Sequence, residues 1–194
     1  MERSQRRFTL GDAMILVAAS ASALALMLIP LGPGNTAFEA LHDLFERPKG
    51  GWVIGEVLVS MVEFTTWAIV PFVATWTVAA LAFQLRRPRL SRRRLGRQPG
   101  AMVVLLGTIS VGLATAWGVV VALAFDRDPE HYFFFSATLG SILAGAMIIG
   151  GWIAMAVGGH WRPEPTWLDR FGRLLGVSWI VIGSAGIFSI VDLF

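Results

Sequence analysis

Glu56, Ser60 and Glu63 are the residues whose types and spacing come nearest to a chemical site. They fall at i, i+4 and i+7, so one helix face carries all three, as a cation or a transferable proton requires. Position argues for a blander role. Glu63 lies 23 residues before Arg86, roughly 34 Å along a helix axis, which sets it at the outer edge of a span ending there. Carboxylates at that depth stay hydrated, and a solvated or helix-start role is the expectation. The three are weak candidates for a polar outer-face site.

The three histidines, His42, His131 and His160, all lie outside the apolar runs. His131 and His160 are separated by 29 residues, about 43 Å if the stretch between is helical, and cannot share a haem or metal. His42 and His131 with Asp126, Asp128 and Glu130 have the donor types for a divalent ion, but a hydrophilic hairpin is the simpler reading. The chain has no cysteine, which excludes disulfides, thiol catalysis, Cys-ligated metals and palmitoylation. It contains no P-loop, HExxH pair or GxSxG elbow. No catalytic, cofactor-binding or metal-binding residue is assigned, no cofactor is expected, and an enzyme is the least favoured class.

What positions these residues is apolar. With 55% hydrophobic and 15% charged residues in 194 and a mean hydropathy of +0.65, the chain does not have a soluble domain's composition. A hydrocarbon core about 30 Å thick needs about 20 apolar helical residues. The pattern predicts a single all-α integral membrane domain with five transmembrane helices, over about 13–31, 64–85, 101–125, 133–159 and 174–191. These limits enclose no Asp, Glu, Lys, Arg or His, although carriers and proton relays place such groups inside the membrane. The first run follows a basic head and offers small-x-small sites at Ala21–Ala23 and Ala23–Ala25, so it is either a retained anchor, the favoured reading, or a cleaved signal that leaves four spans.

Between the first two spans, Thr36 and Glu39 form a capping box, and Phe38, Leu41, Leu44 and Phe45 share a face opposite Glu39, Asp43 and Glu46. A short amphipathic helix on the outer membrane surface is expected. Residues 52–62 project outward or fold along that surface, and Pro71 is expected to kink the second span. Thr166 and Asp169 make a second capping box before the last span, flanked by the interface-seeking Trp161 and Trp167.

Fifteen of the sixteen basic residues are arginine. Thirteen fall in alternate segments, residues 1–12, the linker 86–98 and the loop 160–173, against three (Arg47, Lys49 and Arg127) in the others. The positive-inside rule then makes the N-terminus and the basic linker 86–98 cytoplasmic and puts Phe194 outside. The linker is read as a topological anchor in preference to a binding site for anionic lipid. The basic pI is no sign of nucleic acid; the expected partners are the lipid bilayer and possible further membrane subunits or copies of this chain.

Ser110, Ala114, Gly118 and Ala122 recur at every fourth position of the third span, with Gly140 and Ala144, and Gly172 and Gly176, at the same spacing. Small-xxx-small faces let helix backbones approach closely in lipid. This is a helix-packing face, Gly118 is its expected least replaceable member, and the spacing leaves open whether the partner helix belongs to this chain or another.

The opening phrase from Arg7 to Ala19, RFTLGDAMILVAA, resembles the start of many small multi-pass membrane proteins of planctomycete-type bacteria, in which an R-F-T-[LI]-x-D-x-M-x-L-V-A phrase opens the first transmembrane helix. The resemblance covers about 13 residues, implies a membrane-anchored bacterial protein and carries over no functional residue. Physically, Thr9 caps the helix, Asp12 faces its positive end, and Arg6 and Arg7 hold that end inside. The functional expectation is a non-enzymatic polytopic protein of the bacterial inner membrane that associates with other membrane components. The alternative is a small carrier or channel for a neutral solute. Thr65, Thr66, Thr75, Thr108, Ser110 and Thr115 discriminate the two: hydroxyls facing a continuous cavity suggest passage, whereas hydroxyls bonded to backbone suggest packing.

Overall fold

The computed structural model describes residues 9–28, 54–85, 97–125, 129–163 and 166–191, without the side chains of 54–68, 125, 129–134 and 188–191. The described residues form five α-helices: α1 Leu10–Leu28, α2 Ile54–Leu85, α3 Pro99–Phe125, α4 Pro129–Val157 and α5 Trp167–Val191. The surface helix expected within 32–51 and most of the basic linker lie outside the described residues, as do residues 126–128 of the hydrophilic hairpin expected over 126–132, whose remaining residues open α4 because Pro129 starts that helix.

Three stretches are long and apolar enough to cross a membrane, Leu10–Leu28, Pro99–Ala124 and Phe135–Val157, while Ile69–Leu85 is apolar but shorter. The described part of the chain is thus all-helical with three helices of membrane type. Outward-facing side chains agree: Leu113, Val120 and Leu123 on α3 and Ile149, Ile153 and Val157 on α4 are all exposed. Helices apolar on every side are those that lie in lipid or in a large core.

Helix boundaries follow caps more than hydropathy. Proline opens both α3 and α4, where its missing amide hydrogen costs nothing and its fixed φ suits the first turn. In α1, Asp12 Oδ2 accepts from Thr9 N and Thr9 Oγ1, each at 2.9 Å, so the third helical residue reaches back to the cap. α2 runs without interruption from Ile54 through Pro71 to Leu85, carrying residues expected outside the span on the same helix. The Thr75 hydroxyl, one turn after Pro71, donates to Pro71 O at 2.8 Å and Phe72 O at 3.0 Å.

α3, α4 and α5 pack together as a trio, α2 lies against α5 and α3, and α1 rests on α2. The core is built from Val70, Val73, Val103, Ile148, Leu175 and Trp179. A smaller cluster of Phe83 and Leu168, with Ile15, Leu16 and Trp167 packed on it, joins the N-terminal half of α1 to the end of α2 and the start of α5. Arg162 N donates to Arg97 O at 3.2 Å. The start of α1, the end of α2, the start of α3 and the segment between α4 and α5 therefore lie at one end of the bundle.

Candidate functional site

Two polar nodes and a cleft organise the bundle. The first node lies where α3 and α5 begin. Thr166 caps α5, its Oγ1 accepting from Asp169 N at 3.3 Å. The Asp169 carboxylate does more than complete that box: it is buried and its Oδ1 accepts from Gly100 N, the second residue of α3, at 2.9 Å. One negative charge thereby serves the positive ends of two helices. Arg173, one turn on, stands 3.3 Å from Oδ2. Such an approach requires bare backbones, and a Cβ added at Gly172 would meet Gly100 C at 2.7 Å and Gly100 Cα at 2.8 Å. Trp152 closes the corner, donating from Nε1 to Pro99 O at 3.3 Å and meeting Trp161 edge to face at 5.8 Å.

The second node is in the middle. Trp179 Nε1 of α5 donates to Thr77 Oγ1 of α2 at 3.0 Å, and that hydroxyl donates to Val73 O at 2.6 Å. Gly107 of α3 leaves room for both, since a Cβ there would stand 3.0 Å from the Thr77 methyl and 3.2 Å from the indole nitrogen. The buried indole N–H is thus satisfied away from water.

Because α1 packs on α2 and makes no comparable contact with α3 or α4, a cleft of about 700 Å³ remains between them. Its walls include Ala18 and Leu26 of α1, Val70 and Ala74 of α2, Val111, Gly118 and Ala122 of α3, and Ser136 and Gly140 of α4, with Trp179 behind. The walls are mostly small and apolar, as in sites that take hydrophobic ligands.

The sequence-predicted residues divide as follows. Glu56, Ser60 and Glu63 lie on the helical backbone of α2, but their side chains, with those of Thr65, Thr66, His131 and Glu130, lie outside the described residues. His160 is exposed in the turn after α4. The face of Ser110, Ala114, Gly118 and Ala122 turns towards α4 and the cleft. Ser110 Oγ lies 3.4 Å from Met147 Sδ, a Cβ added at Gly140 would meet Ala114 Cβ at 2.5 Å, and one at Gly118 would meet Ser136 Oγ at 2.7 Å. At Gly118 the obstacle is one side chain; at Gly100 and Gly172 it is backbone. The closest helix approach therefore lies at the α3–α5 start, outside the face of Ser110 to Ala122 but at Gly172, which the same spacing pairs with Gly176.

The four discriminating hydroxyls among the described side chains are bonded to their own helices. Thr108 Oγ1 donates to Val104 O at 2.7 Å, Ser110 Oγ to Leu106 O at 2.9 Å and Thr115 Oγ1 to Val111 O at 2.8 Å, as Thr75 does to α2.

Together these features define, over the described residues, an all-helical bundle of membrane type, with buried polar contacts at helix ends and crossings and an apolar cleft in its side. The chain matches no family model, no curated protein and no solved structure.

Proposed function

We propose that this chain is a five-span protein of the bacterial inner membrane, N-terminus cytoplasmic and Phe194 outside, acting without catalysis by association with other membrane components. The observation that carries the reading is the state of the hydroxyls. Thr75, Thr108, Ser110 and Thr115 all donate to carbonyls of their own helices, which leaves little to replace the hydration shell of a passing solute. The cleft has mainly apolar walls and suits a hydrophobic companion better than a polar solute. Association does not depend on the small-residue face of α3, much of which α4 occupies within the chain. Support for the topology comes from the described helix ends that border the arginine-rich sequence segments, which lie at one end of the bundle, as the positive-inside rule requires of a shared cytoplasmic side.

Two measurements test this. Single cysteines in the Cys-free chain, probed with an impermeant maleimide in intact cells, are expected to label at Asn35 and not at Ser91; the reverse pattern overturns the orientation. Vesicles containing the purified chain are expected to pass glycerol and urea no faster than empty ones. Permeation that is abolished by Ala122→Phe would favour a carrier or channel instead.

A further inference from the structure

The exposed Ser22 aside, one polar group in the cleft differs from the others. Thr75, Thr115 and Ser141 line it with hydroxyls already donated to backbone carbonyls. Ser136 also lines it and is only 8% exposed, yet its hydroxyl forms no hydrogen bond with any described residue. A helical serine ordinarily satisfies itself on the carbonyl one turn back. A hydroxyl with no acceptor among the described residues, set beside an apolar cavity, is free to donate to a ligand acceptor there.

We propose that the cleft holds one hydrocarbon chain of an ester-linked membrane lipid, with the Ser136 hydroxyl donating to the ester carbonyl. The proposal rests on the membrane-embedded reading above. Size selects a chain over a helix. The cleft is about 700 Å³, whereas a helix about 10 Å across and 30 Å long fills roughly 2,400 Å³. Small walls at Ala18, Ala74, Ala122 and Gly140 make a smooth apolar channel. Polarity selects the direction in which the lipid lies. Ser136 is seven residues into α4, roughly 10 Å from its start. Ile15 and Ala82 line the part of the cleft nearer the arginine end. The carbonyl therefore sits towards the α3–α4 connection and the chain runs back along α1 and α2, as it does for a lipid of the leaflet on that side.

The test uses the full chain in vesicles of phosphatidylethanolamine and phosphatidylglycerol, with a trace of phosphatidylglycerol carrying a diazirine midway along one acyl chain. After irradiation, adducts are mapped by mass spectrometry. Leu123 and Val157, 82% and 85% exposed, report ordinary lipid contact. Cleft residues such as Ala74 and the buried Ala79 are expected to label severalfold more strongly than these two. Ala122→Phe, which narrows the cleft, is expected to remove that excess and leave Leu123 and Val157 unchanged. Should that variant not fold, Ser22→Leu on the exposed α1 wall serves the same purpose. Ser136→Ala is expected to lower the cleft labelling about two- to tenfold, the worth of one hydrogen bond. Cleft labelling at or below that of Leu123 and Val157, or unaltered by either cleft-narrowing variant, overturns the lipid site. Labelling of Leu123 and Val157 with an unlabelled cleft overturns the site alone. No labelling at those two positions overturns the membrane reading and the site with it.

Discussion

Gly172→Ala tests the close crossing of α3 and α5 directly. The added Cβ would lie 2.7 Å from Gly100 C and 2.8 Å from Gly100 Cα, and backbone cannot rotate aside as a side chain can. To admit the methyl group the helices must part, which also strains the Asp169–Gly100 bond of 2.9 Å. Overpacking costs about 1–3 kcal/mol and a weakened hydrogen bond about 0.5–1.5 kcal/mol, against about 1 kcal/mol of helix propensity gained from glycine to alanine. The net expectation is a loss of about 1–3 kcal/mol. Gly150→Ala is the internal reference, because nothing lies within 4 Å of a Cβ there and only the propensity gain of up to about 1 kcal/mol applies. The two variants should differ by about 2–4 kcal/mol, or roughly 4–16 °C in apparent Tm for a chain of this size. Each is extracted in mild detergent and heated in steps, and the folded fraction is followed by size-exclusion chromatography. Equal midpoints would refute the backbone-contact reasoning.

Two further variants probe the polar nodes by the same thermal assay. Asp169→Ala leaves Gly100 N without its acceptor and should cost about 1–3 kcal/mol; Asp169→Asn keeps an acceptor oxygen and should fall between Ala and the native chain. Thr77→Val keeps the shape but removes the acceptor of Trp179 Nε1, for an expected loss of about 0.5–2 kcal/mol, and Thr77→Ser should recover part of it.

Apolar runs made the helices legible in the sequence, because the bilayer imposes a length that composition can be measured against. They did not place the ends. α2 begins at Ile54, ten residues before Phe64, and α5 at Trp167, seven before Leu174, because a helix continues through polar residues until its backbone meets a cap or a breaker, whatever the solvent. The spacing of Ala114 and Gly118 marked a face able to pack closely, and Gly140 and Ser136 of α4 meet it. The Asp169–Gly100 contact was not legible. Asp169 has a sufficient local role in its own capping box, and nothing local indicates an acceptor bond across 69 residues. The cleft was equally hidden, since it depends on α1 lying against α2 and away from α3, which no periodicity within either helix specifies.

The shared cap also sets an order of assembly. Ribosomes deliver α3 before α5, so when α3 first takes its place the amide of Gly100 has no carboxylate to meet; its acceptor is supplied 69 residues later. Until then the start of α3 is held by water or by other groups at the membrane surface, and the α3–α4 hairpin is an unfinished intermediate. Arrival of Asp169 pins the two helix starts together. α5 is therefore the helix that locks α3 in place, and changes at its first turn should act on the yield of correctly assembled protein even where the finished fold tolerates them.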